Sequence, residues 1–321
     1  MFKSGTIKCA FIFVGTLIGA GFASGKEILI FFEGQTIFAP ILSCIISALA
    51  AMAFYVVGIS HKNLLKTLFK RSYFVVNALI ILTNFIIFAT MIAAANTVSI
   101  DTNYGENLGI LLALIALAVV VKQSSLGVLN TIIVPLIVTM IWVLMFCTKS
   151  TTGGVEFNIT NPILYATFNL LSAGLILAKQ PYNNKNTSVW GIGLWIAIIL
   201  LALVIPIYYM VQLVPNADMP LQAIAASHNL TTIGNIIILL AILTTATSSL
   251  QLCVDKNIHL APCVTALAML VSAVGFNTLT NSFYPLIGIL GCIITVFCLI
   301  FLCKNRKTIL KTLKLYPSKP T

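Results

Sequence analysis

Charge is what this sequence lacks most. Only 8% of its 321 residues are charged, against about 25% in a soluble domain, whose whole surface must satisfy water. A soluble globule, a disordered chain and a nucleic-acid binder are excluded on that ground. Acidic residues number seven and histidines three. His61, His228 and His259 fall in loops, with no metal-ligand spacing between them. The eight cysteines (Cys9, Cys44, Cys147, Cys253, Cys263, Cys292, Cys298 and Cys303) include no Cys-x-x-Cys pair and sit in apolar runs. They read as small buried hydrophobes. An intramembrane enzyme would need an acid/base pair, a nucleophile beside a base, or metal ligands within the bilayer. Glu27 is the one acidic residue well inside an apolar run, so the chain is not expected to be an enzyme and no cofactor is expected. There is also no stretch of sequence for a water-soluble catalytic domain.

What is present is apolar sequence. Hydrophobic residues make up 60% of the chain, and mean hydropathy is +1.07. Ten apolar segments stand out, over 6–33, 37–60, 73–100, 108–121, 127–148, 163–179, 189–214, 234–254, 261–275 and 284–303. Barrel strands would alternate apolar and polar residues over about ten positions, and these runs are too long and too uniform for that. The expectation is an all-α polytopic membrane protein of about ten transmembrane helices, forming one transmembrane domain over 1–321.

Charge placement sets the expected orientation. With the N-terminus in the cytoplasm and alternating spans, all basic residues but Lys26 and Lys149 fall on the inner side. Of the acidic residues, all but Asp255 fall towards the outside. Inside-positive loops orient a membrane protein, so both termini are expected to be cytoplasmic, in the cell membrane. The basic stretch 304–321 is expected to be a cytoplasmic tail. The net charge of +11 is mainly this asymmetry, helped by anionic inner-leaflet lipid. No cleavable signal peptide is expected, because a glycine-rich break follows the first apolar run rather than a small-residue cleavage site.

That break is the most informative stretch: Gly15-Thr-Leu-Ile-Gly19-Ala-Gly21-Phe-Ala-Ser24-Gly25-Lys26-Glu27. Mid-helix glycine costs about 1 kcal/mol relative to alanine. Close helix packing accounts for a small-xxx-small stripe, but Gly19, Gly21, Ser24 and Gly25 lie on several helix faces. A Lys–Glu pair follows inside the apolar segment, where charge defaults to function. A discontinuous helix is expected, its freed carbonyls open to a cation and its amides to an anion. A second break is expected in the sixth segment, at Tyr165-Ala-Thr167-Phe168-Asn169-Leu-Leu-Ser172-Ala-Gly174. Residues 1–148 and 163–303 would then be two five-helix repeats, inverted because five is odd. The eighth segment carries Thr244-Thr245-Ala-Thr247-Ser248-Ser249. Those hydroxyls either bond back to their own helix or serve as hard ligands for a small cation.

With these motifs the chain resembles the amino acid–polyamine–cation superfamily, with its LeuT-type 5+5 inverted repeat in which helices 1 and 6 are broken. Gly19–Glu27 resembles the YkvI-type bacterial membrane-protein family within it. The resemblance implies a sodium site built from the carbonyls of Gly15, Ile18 and Thr244 and the hydroxyls of Thr247 and Ser248. It implies a substrate carboxylate at the amides of Ala20 and Gly21. Phe22 stands where the superfamily's other sodium site has asparagine, and the fifth segment lacks the lysine that replaces sodium in some relatives. The loop at 215–233 is similar to the outer hairpin of that fold, with Asp218 as a cap, Pro220 in a first turn and Asn229 at the end.

The expected function is a secondary active transporter of a small organic solute, an amino acid or related zwitterion, with Na⁺ as the coupling ion. A transporter-fold receptor of the spore-germinant kind and a proton-coupled transporter using Glu27 are the alternatives. Expected solute contacts are Ala20, Gly21, Phe22, Ala23 and Ser24, with Phe168, Asn169 and Ser172 opposite and Asn84 and Phe88 completing the wall. Lys26 is expected to pair with Glu27 or Glu33, or to hold an anionic group. Expected partners are the solute and the lipid bilayer.

Overall fold

A computed structural model describes residues 4–60, 64–102, 107–122, 126–148, 154–182, 187–217, 219–255 and 257–306. It is built of helices: α1 (Ser4–Leu17), α2 (Ala20–Ala23), α3 (Lys26–Phe32), α4 (Phe38–Ser60), α5 (Leu64–Phe69), α6 (Tyr73–Thr102), α7 (Leu108–Val121), α8 (Leu126–Cys147), α9 (Thr160–Lys179), α10 (Val189–Val211), α11 (Pro220–Ser227), α12 (Thr231–Val254), α13 (Ala261–Ser272) and α14 (Phe276–Lys304). Among the described residues the extended pairing is one isolated bridge, Gln35 with Glu156. Each apolar segment of the sequence falls on one of these helices, the first being divided over α1–α3.

Seven helices are long and apolar enough to cross a membrane: Phe38–Ser60, Leu64–Val98, Val128–Cys147, Thr160–Lys179, Val189–Val211, Thr231–Val254 and Phe276–Lys304. Gly5–Leu17, Leu108–Val121 and Ile258–Ser272 are apolar but shorter. The protein is therefore a multi-pass membrane protein. Its outer surface agrees. Phe74, Leu111, Ile132, Phe146, Leu270 and Leu286 are all exposed large hydrophobics, an apolar exterior that only lipid can cover. α14 begins at Phe276, earlier than the sequence suggested, and keeps Pro285 inside it. The tail from 307 onward lies outside the described residues.

α9 is the buried centre. Every residue from Tyr165 to Ala178 is buried, as expected of a helix that is apolar all round. It packs against α4 on one flank and α14 on another. Two glycines permit this approach. A Cβ at Gly58 of α4 would overlap the Ala178 carbonyl, and one at Gly291 of α14 would overlap the Thr167 carbonyl. In lipid there is no hydrophobic drive between helices, so such close backbone contact is a main source of helix association.

α9 is also one uninterrupted helix, which corrects the expectation of a break in the sixth segment. Thr167 and Asn169 are satisfied without opening the backbone. Thr167 Oγ1 donates to the Ile163 carbonyl at 2.9 Å and Asn169 Nδ2 donates to the Tyr165 carbonyl at 3.0 Å. Serines, threonines and asparagines that bond one turn back leave the helical ladder intact.

Candidate functional site

The first apolar segment behaves differently. α1 ends at Leu17, α2 starts at Ala20 after an extended Gly19 (φ −95°, ψ −175°), and α3 starts at Lys26 after a left-handed Gly25 (φ 83°). A side chain at Gly25 would be strained in that region and would overlap Val211 as well. These interruptions lie inside the protein, with Ile18, Ala20, Phe22, Ala23 and Ser24 all fully buried. Their backbone groups therefore need partners from other elements. Thr245 Oγ1 of α12 donates to the carbonyls of Ile18 at 2.9 Å and Thr16 at 3.2 Å. Thr244 Oγ1 reaches the Ile18 carbonyl at 3.4 Å. The Ser24 carbonyl accepts the Leu221 amide of α11 at 2.8 Å. The Ala20 amide meets Met91 Sδ of α6 at 3.3 Å.

The hydroxyl cluster of α12 thus faces the break. Ser248 Oγ lies 3.2 Å from Thr16 Oγ1 and donates to the Thr244 carbonyl at 2.8 Å. Thr247 Oγ1 bonds within its own helix, to Leu243 and Thr244. Ser249 Oγ is buried without a partner. Gly15 lies against the side chain of Asn130 on α8, where a Cβ would come within 2.5 Å of Asn130 Cγ. Asn130 Nδ2 donates to the Ile12 carbonyl at 3.4 Å, while its Oδ1 has no partner. Of the expected ion ligands, Ile18, Thr244 and Ser248 share one neighbourhood, whereas Thr247 turns to its own helix. Thr16, Thr245 and Asn130 belong to it too, and sequence reasoning passed over them. Thr245 was visible as part of the hydroxyl run. Asn130 is a lone polar residue in an apolar span.

Beside this neighbourhood is a small cavity of about 20 Å³, room for a water molecule or two. It is lined by Thr16, Leu17 and Gly19 of the first segment, Glu27 of α3, Ile87 and Met91 of α6, Phe168, Asn169 and Ser172 of α9, Thr245 of α12 and Tyr284 of α14. Of the expected solute contacts, Phe168, Asn169 and Ser172 line it. Asn84 stands behind, its Oδ1 accepting from Ser172 Oγ at 2.8 Å. Phe88 and residues 20–24 are buried but are not among the lining residues. Ser24 Oγ instead donates to the Gly21 carbonyl at 3.2 Å. Tyr284 was missed by the sequence reading, although a Tyr-Pro pair in an apolar run was a visible signal. Aromatic rings cluster at one end: Phe168 and Tyr284 are 4.7 Å apart, Phe31 and Tyr165 5.4 Å, and Phe32 and Tyr165 5.0 Å between centroids.

The charged pair separates. Lys26 Nζ reaches the Ala217 carbonyl at 3.3 Å and pairs with neither Glu27 nor Glu33. Lys179 pairs instead with Asp255 at 2.7 Å, at the far ends of α9 and α12. Glu27 is 2% exposed and folds back over α2. A Cβ at Gly21 would stand 2.5 Å from Glu27 Oε1. Glu27 Oε2 has no partner.

α11 closes the region on another side. Pro220 sits in its first turn, and Asn229 just past its end adopts a left-handed conformation (φ 59°). Met219 holds the N-cap position; Asp218 lies outside the described residues. Gln222 Nε2 of α11 donates to Asn235 Oδ1 of α12 at 3.0 Å. Among the described residues no three His, Cys, Asp or Glu side chains gather as metal ligands. The chain matches no model of a known protein family and no curated protein.

Proposed function

We propose that the protein is a secondary active transporter of a small organic solute, an amino acid or related zwitterion, working by alternating access with sodium as coupling ion. Its fold would be the LeuT-type 5+5 inverted repeat of the amino acid–polyamine–cation superfamily, in the YkvI-type family. The cell membrane would hold it with both termini in the cytoplasm. One observation supports this most: the first apolar segment is interrupted twice inside the protein, and its freed carbonyls turn to the hydroxyls of α12. Irregular backbone at membrane depth is tolerated where it is buried or lines a cavity, and a cavity adjoins it here.

The coupling would work through the oxygen cluster. The Thr16, Ile18 and Thr244 carbonyls and the Thr245 and Ser248 hydroxyls now satisfy one another. A sodium ion would take those oxygens as ligands once the hydroxyl protons rotate outward. It would tie α1 to α12 and favour whichever conformation brings them together, since a ligand shifts populations only by binding one state better. Solute uptake into proteoliposomes, with sodium titrated at fixed pH, tests this. Uptake should rise with sodium and not with potassium. Thr245→Val and Ser248→Ala should each weaken the sodium response roughly 5- to 150-fold, the usual range of coupling between sites. Indifference to sodium together with dependence on a proton gradient would favour the second reading. In that reading Glu27, with its partnerless Oε2, carries the coupling proton.

A further inference from the structure

The interrupted first segment should offer its amides to a substrate carboxylate, yet the protein fills that place itself. Glu27 lies over Gly21 closely enough that a methyl group there would strike its Oε1. The Ala20 amide is engaged by Met91 Sδ. A second carboxylate brought to these amides would meet the first. Meanwhile Glu27 Oε2 is buried and unpartnered beside the cavity. No lysine, arginine or histidine is among the residues that line it. The titratable neighbours are phenols: Tyr284 on α14, which lines the cavity, and Tyr165 on α9 within the adjoining ring cluster. A buried carboxylate without a cation is costly, and this one sits among aromatic rings.

We propose that this cavity binds the ammonium group of an organic cation that carries no carboxylate: Glu27 takes the charge, and the rings of Phe168 and Tyr284 take its N-alkyl groups. Cations are attracted to aromatic faces, and Asn169 and Ser172 supply polar atoms on the remaining wall. The cavity's 20 Å³ matches a water-sized ammonium nitrogen alone, and opening of the helices around it would have to admit the N-alkyl groups and the rest. This rests on the transport reading only in placing the solute at this cavity. It replaces the zwitterion of that reading with a cation.

The test is isothermal titration of the purified full chain, at fixed pH and sodium, with butylammonium, tetramethylammonium, alanine and butyrate. An ammonium probe should bind saturably, alanine more weakly and butyrate not at all. Glu27→Gln should weaken ammonium binding roughly 10- to 150-fold, the loss expected for a charged contact. Tyr284→Leu leaves the carboxylate in place. It should weaken tetramethylammonium roughly 3- to 30-fold, and this holds the proposal to account if Glu27→Gln does not fold. Alanine binding more tightly than both ammonium probes would overturn it. So would ammonium binding that both substitutions leave unchanged, or no ammonium binding at all. Uptake assays separate the two readings. Uptake of alanine with the ammonium probes inert keeps the transporter and sinks the cation site. Ammonium binding without uptake of any solute keeps the site and sinks the transporter.

Discussion

The first segment and α9 look alike as sequence: each places small and polar residues in the middle of an apolar run. One is broken twice and the other is whole. The difference lies in who takes the backbone groups. In α9 Thr167 and Asn169 bond one turn back along their own helix, and neighbouring helices press on it through glycine. In the first segment the glycines bring no side chain to bond, and one of them holds a left-handed conformation. The carbonyls of Thr16, Ile18 and Ser24 then find donors on α12 and α11. A break in a buried span therefore needs both a residue that permits the geometry and a partner element ready to receive the loose groups.

The strongest way to break this comparison is at Gly25. Gly25→Val puts a β-branched residue at φ 83° and drives it into Val211. A loss of stability on the order of 1–3 kcal/mol from backbone strain, with the overlap added, should appear as a clear fall in the melting temperature of the purified protein. An unchanged melting temperature would show that the second interruption is incidental.

Thr245→Val sharpens the same point with a smaller effect. It keeps the shape and removes the donor to the Ile18 and Thr16 carbonyls. Buried carbonyls left short of a donor cost about 1–3 kcal/mol. The Thr244 hydroxyl, 3.4 Å from the Ile18 carbonyl, should hold the loss toward the lower end. Faster amide exchange at Gly19 and Ala20, read by mass spectrometry, is the expected local signature.

Thr167→Val should do least. It removes the hydroxyl's contacts to the Ile163, Leu164 and Gly288 carbonyls, but the first two carbonyls keep their places in the helical ladder, so the cost should stay below about 1 kcal/mol. If it matched Thr245→Val in size, the distinction between self-satisfied and partner-satisfied helices would fail.

Much of this was legible in the sequence, and the reasons differ by element. The apolar segments are long, so hydropathy located most of the long helices to within a few residues, though not the start of α14 at Phe276. Gly25 announced itself because glycine amid apolar residues has few uses. The short helix α11 was signalled by Pro220 and Asn229. The unbroken α9 was not legible, since Thr167 and Asn169 read the same whether they line a break or bond back. Nor were Asn130 and Met91. Each is a single residue whose place depends on which helices meet, and that is set by packing between segments far apart in sequence. The direction in which Lys26 and Glu27 point was equally hidden, because adjacent residues at a helix start diverge.

Gly58 and Gly291 carry a consequence for recognising kin. Lipid-facing positions accept almost any apolar residue, so sequences of this kind drift until overall resemblance fades. A site where a helix backbone lies against a carbonyl of α9 accepts only hydrogen. A distant relative that keeps the three-helix sandwich must therefore keep a glycine late in its second apolar segment and another midway along its last. Those two points, widely separated in the chain, offer a signature of ancestry that outlasts the rest of the sequence.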